Sequence, residues 1–167
     1  MKKIIILGLT LLLFYSSFSQ QTKRNKETIQ NFYAAFNARN FTTFYSYFND
    51  SVLVHFSNNK NFTITPNEIR ASIDPQIKAF PDVSDTVSFI LAEGEWVSIC
   101  VRHTGTNSDS LWGLPPSKRV ISYNVMEMYR LKNNKIVEIY VVQDHLSMYQ
   151  QMGIIPFRIT KSLVLKN

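Results

Sequence analysis

The spacing of apolar residues divides the chain into a helical N-terminal part and a C-terminal part built from strands. Four apolar residues from Ile29 to Phe36 fall at i, i+3, i+4 and i+7. This spacing is the apolar stripe of an amphipathic helix, which we predict over residues 23–39. A second short helix is predicted after Asn40, because an asparagine side chain suits the N-cap position. We expect the aromatic residues of both helices to form a core.

A strong helix start signal follows. Thr65 and Glu68 have the spacing of a capping box, and Pro66 stands at the first helical position. The pattern predicts a third helix that runs to about Phe80. Pro75 lies inside it, and we expect this proline to kink or split the helix because it lacks a backbone N–H.

Segments rich in β-branched and aromatic residues predict the strands. A short strand is expected over Val52–Phe56, after a turn at residues 49–51. Four longer strands are expected over residues 83–92, 96–106, 120–131 and 136–143. Turns at residues 93–95 and 133–134 join them into antiparallel hairpins. A last helix over residues 144–152 is expected to stop at Gly153.

This element order predicts the α+β class. N-terminal helices would pack in a strongly curved antiparallel sheet, giving a cone-shaped α+β barrel with a pocket between sheet and helices. Polar groups that project into such a pocket lose solvent, so their pKa values can move toward neutrality.

The first twenty residues have the pattern of an export signal. Lys2 and Lys3 precede an apolar run from Ile4 to Tyr15, and small residues follow. The run is shorter than the roughly 20 residues of a membrane span. We therefore predict a signal peptide over residues 1–20, with an uncleaved N-terminal anchor as the alternative. A domain over residues 21–153 and a C-terminal tail over residues 154–167 follow. The mature protein is expected to be exported, periplasmic or secreted, and not bound to a membrane.

Charge and composition narrow the function classes. Removing residues 1–20 lowers Lys plus Arg from 18 to 16 against 12 acids, a net charge of +4. No basic stripe interleaved with aromatics accompanies this charge, so no nucleic-acid partner is expected. The three histidines have no metal-binding spacing, the chain has one cysteine, and no nucleotide-binding glycine motif occurs. We therefore predict no metal and no cofactor.

Asp144 is the most informative acid. It follows the apolar strand at residues 136–143 and precedes the last helix. One interpretation is that it caps that helix. The other is catalytic: Asp144 shares a strand face with Tyr140 and Val142, and if that face looks inward the carboxylate lies in the pocket wall and can act as an acid and base.

Two further residues are candidates for proton transfer. Glu127 lies in the middle of a strand and shares a face with Tyr123 and Tyr129, so it is either solvated or buried with a partner. His55 lies in the first strand, where it is either a pocket acid or base or a partly exposed edge residue. His103 and Arg102 point to opposite faces, so one of the two can look into a pocket.

Aromatic residues are the candidates for ligand contact, because rings give large rigid apolar surfaces. Many of them could equally be core. The predicted contacts to a small apolar molecule are Phe36, Tyr45, Trp112, Tyr123 and Tyr140.

Six stretches in series give the chain a family resemblance. They are Ala79–Asp82, Ala92–Glu95, Thr104–Thr106 with Trp112–Pro116, Tyr129–Arg130 with Asn134–Glu138, Asp144, and Tyr149–Gly153. In order and spacing, the chain from about residue 25 to Gly153 resembles the SnoaL-like polyketide cyclases of the nuclear-transport-factor-like superfamily.

This resemblance implies a curved sheet, a closed pocket and a homodimer or small homo-oligomer. Characterised members close a ring of a polyketide ester by an intramolecular aldol reaction without metal or cofactor. Asp144 stands where the family has its strand-end aspartate, which the resemblance implies is the acid and base. Two departures alter the pocket mouth: Asn107 stands where the family commonly has histidine, and Ser117-Lys118 replaces Thr-Gly.

Several functions therefore remain open. The first is a cofactor-independent cyclase, isomerase or lyase acting on a small apolar carbonyl compound. The second is a non-catalytic binding domain for a hydrophobic small molecule, and the third is an accessory domain that oligomerises through its outer sheet face. Epoxide hydrolysis or ketosteroid-type isomerisation would need Arg102, Tyr123 or Glu127 to face Asp144.

Overall fold

The computed structural model describes residues 2–58 and 60–156, with side chains from residue 19 onward. Met1, the side chains of residues 2–18 that carry most of the predicted export signal, and residues 157–167 of the predicted tail lie outside the described residues. Across the described ranges the chain forms four helices and six strands. In this part of the chain, no helix is both long and apolar enough for a membrane crossing.

The helices form where capping residues allow them to start. They are α1 (Lys2–Asn37), α2 (Phe41–Ser46), α3 (Pro66–Ala79) and α4 (His145–Met152). The Asn40 side chain accepts a hydrogen bond from the backbone N–H of Thr43 at 3.1 Å, as an N-cap does. The capping box of Thr65 and Glu68 is present. Helix α3 continues across Pro75, so of the expected kink or split the split does not occur.

The strands follow the predicted segments closely. They are β1 (Phe48–Phe56), β2 (Asn61–Ile64), β3 (Ser84–Glu93), β4 (Trp96–Thr106), β5 (Val120–Lys132) and β6 (Lys135–Gln143). Asn133 and Asn134 both have positive φ, which suits the two-residue turn between β5 and β6. Residues 49–51 belong to β1, so the turn predicted there is wrong, and β2 was not predicted.

The six strands form one open sheet in the order β2-β1-β6-β5-β4-β3. Neighbouring strands are antiparallel except β1 and β6, which pair in parallel. The expected α+β fold with N-terminal helices against a curved sheet is confirmed, and the sheet is mixed rather than wholly antiparallel. Parallel strands need a long connection between them. Here α3 and the three strands β3 to β5 lie between β1 and β6 along the chain and supply that connection.

A β-bulge at Ser88 changes the register of β3. From Glu93 to Phe89 the strand pairs regularly with β4, and pairing resumes at Val87 opposite Val101 with one residue left over. Because side chains alternate along a strand, the extra residue switches which positions face inward. Ile90 packs toward the core on one side of the bulge, and Asp85 is buried on the other.

One face of the sheet carries the main core. Side chains of α1, α2 and α3 pack there against inward-facing residues of β1, β4, β5 and β6. Phe32, only 4% exposed, lies at the centre and stacks on Phe44 with ring centroids 4.5 Å apart. The opposite face carries a row of apolar side chains open to solvent. The helices therefore cover only one face, and a hollow lies between them and the sheet.

Candidate active site

A cavity of about 190 Å³ lies between the helices and the inner face of the sheet. Nine aromatic side chains contribute to its wall: Phe32, Tyr33, Phe36, Phe44, Phe48, Phe56, Phe80, Tyr123 and Tyr129. Helix α3 supplies a second wall with Ile69, Ile73 and Ile77. An apolar cavity with a few converging polar groups is the usual form of a small-molecule site.

The first polar group is a row across three strands. Asp85 of β3 pairs with His103 of β4, and His103 pairs with Tyr123 of β5, so all three side chains project into the cavity from neighbouring positions. The His103 ring makes a hydrogen bond through Nδ1 to Asp85 Oδ1. An ionised carboxylate can only accept, so Nδ1 carries the proton and the other ring nitrogen, Nε2, is the basic one when the ring is neutral. The Tyr123 ring lies 5.4 Å from the His103 ring.

The environment of His103 makes it a stronger base than a free imidazole. Burial alone would lower the pKa of His103, but the hydrogen bond and charge of Asp85, together with the charge of Glu127, outweigh burial and raise that pKa above its usual value. The Asp85 side chain is 2% exposed and the His103 side chain 19%. No hydrogen-bond partner for Nε2 occurs within the described residues. Nε2 is therefore available to a ligand in the cavity.

Tyr123 is a neutral hydrogen-bond donor in the same row. Burial, with the charges of Asp85 and Glu127, raises the pKa of its hydroxyl well above the usual value. The hydroxyl therefore stays protonated over the whole physiological pH range. In the described parts of the chain it donates to no other residue, so it too can bind a ligand.

The second polar group is centred on Glu127. Tyr33 and Tyr129 both donate hydrogen bonds to its Oε2, the latter at 2.5 Å, and their hydroxyl oxygens lie 3.0 Å apart. Burial raises the pKa of Glu127 above its usual value, although the two tyrosine hydrogen bonds and the charge of His103 act in the opposite direction. Its other oxygen, Oε1, has no partner among the residues described.

Three residues predicted from the sequence line the cavity: Phe36, Tyr123 and Glu127. Glu127 shares the inward face with Tyr123 and Tyr129, as its position on the strand indicated, and that face looks toward the helices. The catalytic and binding roles of the three stay predictions. Five other predicted residues, Asp144, His55, Tyr45, Trp112 and Tyr140, are not part of the cavity wall.

The expected position of Asp144 in the pocket wall is wrong. Asp144 is exposed and caps α4, where Oδ1 accepts a hydrogen bond from the Ser147 backbone N–H at 3.0 Å. The inward positions of β6 are Ile139, Val141 and Gln143, all of which line the cavity. Asp144 does share a face with Tyr140 and Val142, but that face points away from the helices.

His55 and Tyr140 lie together on the outer face of the sheet. Their rings stack at 3.9 Å, and His55 Nε2 lies 2.9 Å from Glu138 Oε1. Arg130 donates to the other oxygen of Glu138 at 2.7 Å. His55 faces outward because the inward positions of β1 are taken by its apolar neighbours. Of the two interpretations of His55, the partly exposed strand residue is the one observed, and the pocket acid or base is not.

The two remaining aromatics also lie elsewhere. Tyr45 is buried in the core and its hydroxyl donates to Asp74 Oδ1 at 2.5 Å. Trp112 is 50% exposed, in the loop before β5, and its ring meets that of His145 edge-on at 5.5 Å. Neither contacts the cavity, so both predicted positions are wrong.

Sequence reasoning missed Asp85, Tyr33 and Tyr129, and left the direction of His103 undecided. The available signal for His103 is the apolar character of Val97, Ile99 and Val101, because strand alternation places His103 on their face, which is buried in the structure. No comparable signal existed for Asp85. No group of three or more His, Cys, Asp or Glu side chains that could hold a metal ion occurs among the described residues.

The fold and cavity define an α+β domain with a pocket between its helices and its sheet. The profile of the SnoaL-like polyketide cyclases matches residues 27–152, so the chain belongs to the SnoaL-like polyketide cyclase family. A search of curated proteins found no match.

Solved structures share the fold at low sequence identity. AclR, a candidate hydroxylase from Streptomyces galilaeus, is 21% identical with a TM-score of 0.73, over 81% of this chain and 99% of AclR. IdmH, a candidate polyketide cyclase from Streptomyces antibioticus, is 24% identical with a TM-score of 0.67, over 77% of this chain and 98% of IdmH. A SnoaL-like candidate cyclase from a Jannaschia species is 18% identical with a TM-score of 0.72, over 81% of this chain and 96% of its own.

Proposed function

We propose that the protein is an acid–base catalyst of the cyclase, isomerase or lyase type that acts on a small, largely apolar carbonyl compound without a cofactor. The observation that carries the proposal is the row of Asp85, His103 and Tyr123 in an aromatic cavity. A basic nitrogen and a neutral hydroxyl donor side by side are the two groups that enolisation of a carbonyl compound needs.

The chemistry follows from the two atoms without a hydrogen-bond partner in the described residues, His103 Nε2 and the Tyr123 hydroxyl. His103 Nε2 removes a proton from the carbon next to the substrate carbonyl, while Asp85 stabilises the imidazolium that forms. The carbonyl oxygen gains negative charge and accepts a hydrogen bond from Tyr123. In ring closure, the enolate carbon then attacks a second carbonyl of the same molecule, and the oxygen of that carbonyl takes the proton from the His103 imidazolium. In isomerisation, the imidazolium returns its proton to a different carbon of the conjugated anion. The apolar walls exclude water and strengthen these interactions.

The experiment that tests the proposal is hydrogen exchange into a simple ketone. Benzylacetone has one ring and a short ketone chain, which suits a cavity somewhat larger than the ~150 Å³ that holds benzene. Exchange of its α-hydrogens in D₂O is followed by NMR. We expect exchange above the buffer background, at a rate proportional to protein concentration. Exchange no faster than in buffer, over a panel of such ketones, would contradict the proposal.

Asp144 provides a test between this site and the strand-end aspartate that the family resemblance implies. Asp144→Asn keeps a good N-cap. Its exchange rate is expected to stay within twofold of the parent rate, and its free energy of unfolding within ~0.5 kcal/mol. Asp144→Ala removes the cap and is expected to lower the free energy of unfolding by about 1 kcal/mol. A large loss of exchange in the folded Asp144→Asn variant would move the acid–base role to Asp144.

The alternative function is a non-catalytic domain that binds a hydrophobic small molecule in the same cavity. The number of aromatic rings in the cavity wall favours this alternative. The predicted export signal also favours it, because we propose that the mature protein works outside the cytoplasm, away from a cytoplasmic polyketide synthase. Binding of benzylacetone, seen as a rise in Tm without any α-hydrogen exchange, would support this alternative.

We further propose that the protein forms a homodimer through an outer patch, defined as Phe89, Leu91, Met126 and Val142. These side chains are 47–60% exposed. Strand pairing places Phe89, Cys100, Met126 and Val142 in one row across the sheet. A contiguous apolar surface of this kind commonly marks an interface.

The dimer proposal predicts the effect of one charge. Met126→Arg, at the middle of the row, is expected to convert a dimer into a monomer by light scattering at micromolar concentration. Leu146→Arg is the matched control, because Leu146 is similarly exposed (58%) but lies on α4. A monomeric parent protein, or a dimeric Met126→Arg variant, would contradict the proposal.

A further inference from the structure

The charges in the cavity wall are unevenly matched. Among the lining residues, which all lie in the described part of the chain, none is lysine or arginine. Asp85 has a direct basic partner in His103. Glu127 has two hydroxyl donors, Tyr33 and Tyr129, but no cationic side chain of the described residues is in contact with it. A buried carboxylate is stabilised best when a positive charge accompanies its hydrogen bonds.

The free oxygen of Glu127 gives a ligand a defined place to supply that charge. Both tyrosine hydroxyls donate to Oε2, which leaves Oε1 unbonded among the residues described. Oε1 is not sealed in protein, because the only buried, partnerless side-chain polar atom in the described residues is on Arg39. Oε1 therefore remains accessible, and the residue lies in the cavity wall.

The surrounding rings favour the same kind of ligand. Tyr33 and Tyr129 flank Glu127, and Phe32 meets both rings edge-on, with centroids 5.1 and 5.8 Å away. Aromatic faces attract cations, most strongly where water is excluded. A carboxylate ligand would instead meet the two acids of the cavity wall, Glu127 and Asp85, with only His103 among the lining residues to offset them.

We propose that the cavity selects compounds that carry a protonated amine, which binds Glu127 Oε1, and rejects compounds that carry a carboxylate. This inference rests on the proposed function, because it takes the cavity to be the substrate site. The substrate class then becomes an amine-bearing carbonyl compound. Its ammonium group would lie at Glu127 and its carbonyl oxygen at Tyr123. The raised pKa of free Glu127 agrees with a site that lacks its counter-charge until ligand binds.

The test is a matched series of ligands that differ in one group. 2-Phenylethylamine, 2-phenylethanol and phenylacetate share the ring and chain length, and their affinities are measured at neutral pH by calorimetry. We expect the amine to bind at least about tenfold more tightly than the alcohol. We expect phenylacetate to bind more weakly than the alcohol. Equal affinities for amine and alcohol, or tighter binding of phenylacetate, would overturn the inference.

A variant pair locates the effect. Glu127→Gln is expected to abolish the preference for the amine over the alcohol while leaving alcohol binding within about threefold. Glu93→Gln makes the same change of charge at an exposed position outside the cavity, and is expected to keep the preference. A preference that survives in Glu127→Gln would overturn the assignment to this residue. If Glu127→Gln does not fold, the ligand series on the parent protein still decides the question.

The two proposals fail in different ways. Exchange into neutral benzylacetone without any preference for the amine would remove this inference and leave the proposed function standing. A preference for the amine without exchange into any ketone would remove the acid–base function and leave the cavity as an amine-binding site.

Discussion

Replacing His103 with asparagine is expected to slow α-hydrogen exchange by roughly 10²–10⁴-fold, which is the usual contribution of a general base. Asparagine can still donate to Asp85 from a position near that of Nδ1, so the local structure is largely kept while the basic nitrogen is lost. The measurement is NMR exchange at saturating ketone, with unfolding curves to confirm the fold. Exchange within threefold of the parent rate would show that His103 is not the base.

The pH dependence gives an independent check of the same residue. Only neutral His103 can accept a proton, and its pKa is raised in the folded protein. The exchange rate should therefore rise with pH up to that raised pKa and level off above it. Asp85→Asn removes the negative charge and leaves only a neutral amide oxygen to accept the hydrogen bond, so the pKa of His103 falls and the inflection should move to lower pH. An inflection that stays in place in Asp85→Asn would contradict the assignment of the pair.

Truncating Phe32 to alanine is expected to lower the free energy of unfolding by about 3–5 kcal/mol. Its ring stacks on Phe44 at 4.5 Å and meets Tyr33, Phe48 and Tyr129 edge-on at 5.1–5.8 Å, so truncation removes many contacts at once. The loss is a large part of the ~5–15 kcal/mol that stabilises a typical domain. Urea unfolding of parent and variant measures it.

Phe56 is the matched control for this truncation, because it also borders the cavity but is 45% exposed. Phe56→Ala is expected to cost no more than about 1 kcal/mol, since much of the ring already contacts water. If the two truncations cost the same, the aromatic cluster around Phe32 is not the centre of the core.

Much of the fold could be predicted because local signals and tertiary packing agree. The capping residues Asn40 and Thr65 begin helices as expected, and the four long strands match their segments to within one residue. The parallel pairing of β1 with β6 was not predictable in the same way. It depends on contacts between segments far apart in sequence, and no turn residue encodes it.

The candidate site was predictable only where strand alternation is regular. Glu127 was grouped with Tyr123 and Tyr129, and the face they share borders the cavity. The same alternation grouped Asp144 with Tyr140, but sequence alone could not say that this face looks outward. The sequence allows two interpretations of Asp144, and the helix cap is the one observed.

The inward orientation of Asp85 could not be predicted, because counting residues back from the β3–β4 turn gives the wrong pairing partner. Glu93 pairs with Trp96, so an unbroken ladder would set Asp85 opposite Thr104, on the outer face. The residue left over at Ser88 shifts the pairing by one and brings His103 opposite instead. A bulge has no reliable sequence signature, but it moves every side chain beyond it to the opposite face of the sheet.

The extra residue at Ser88 exchanges the inward and outward positions of β3. One continuous strand can therefore carry the apolar side chains of Phe89 and Leu91 on its outer face near the turn and the carboxylate of Asp85 on its inner face further along. The pairing of Asp85 with the basic group His103 thus depends on the length of the chain at this point as well as on its chemistry. Relatives that share both the aspartate and the histidine, but are shorter by one residue between them, would have the two groups on opposite sides of the sheet.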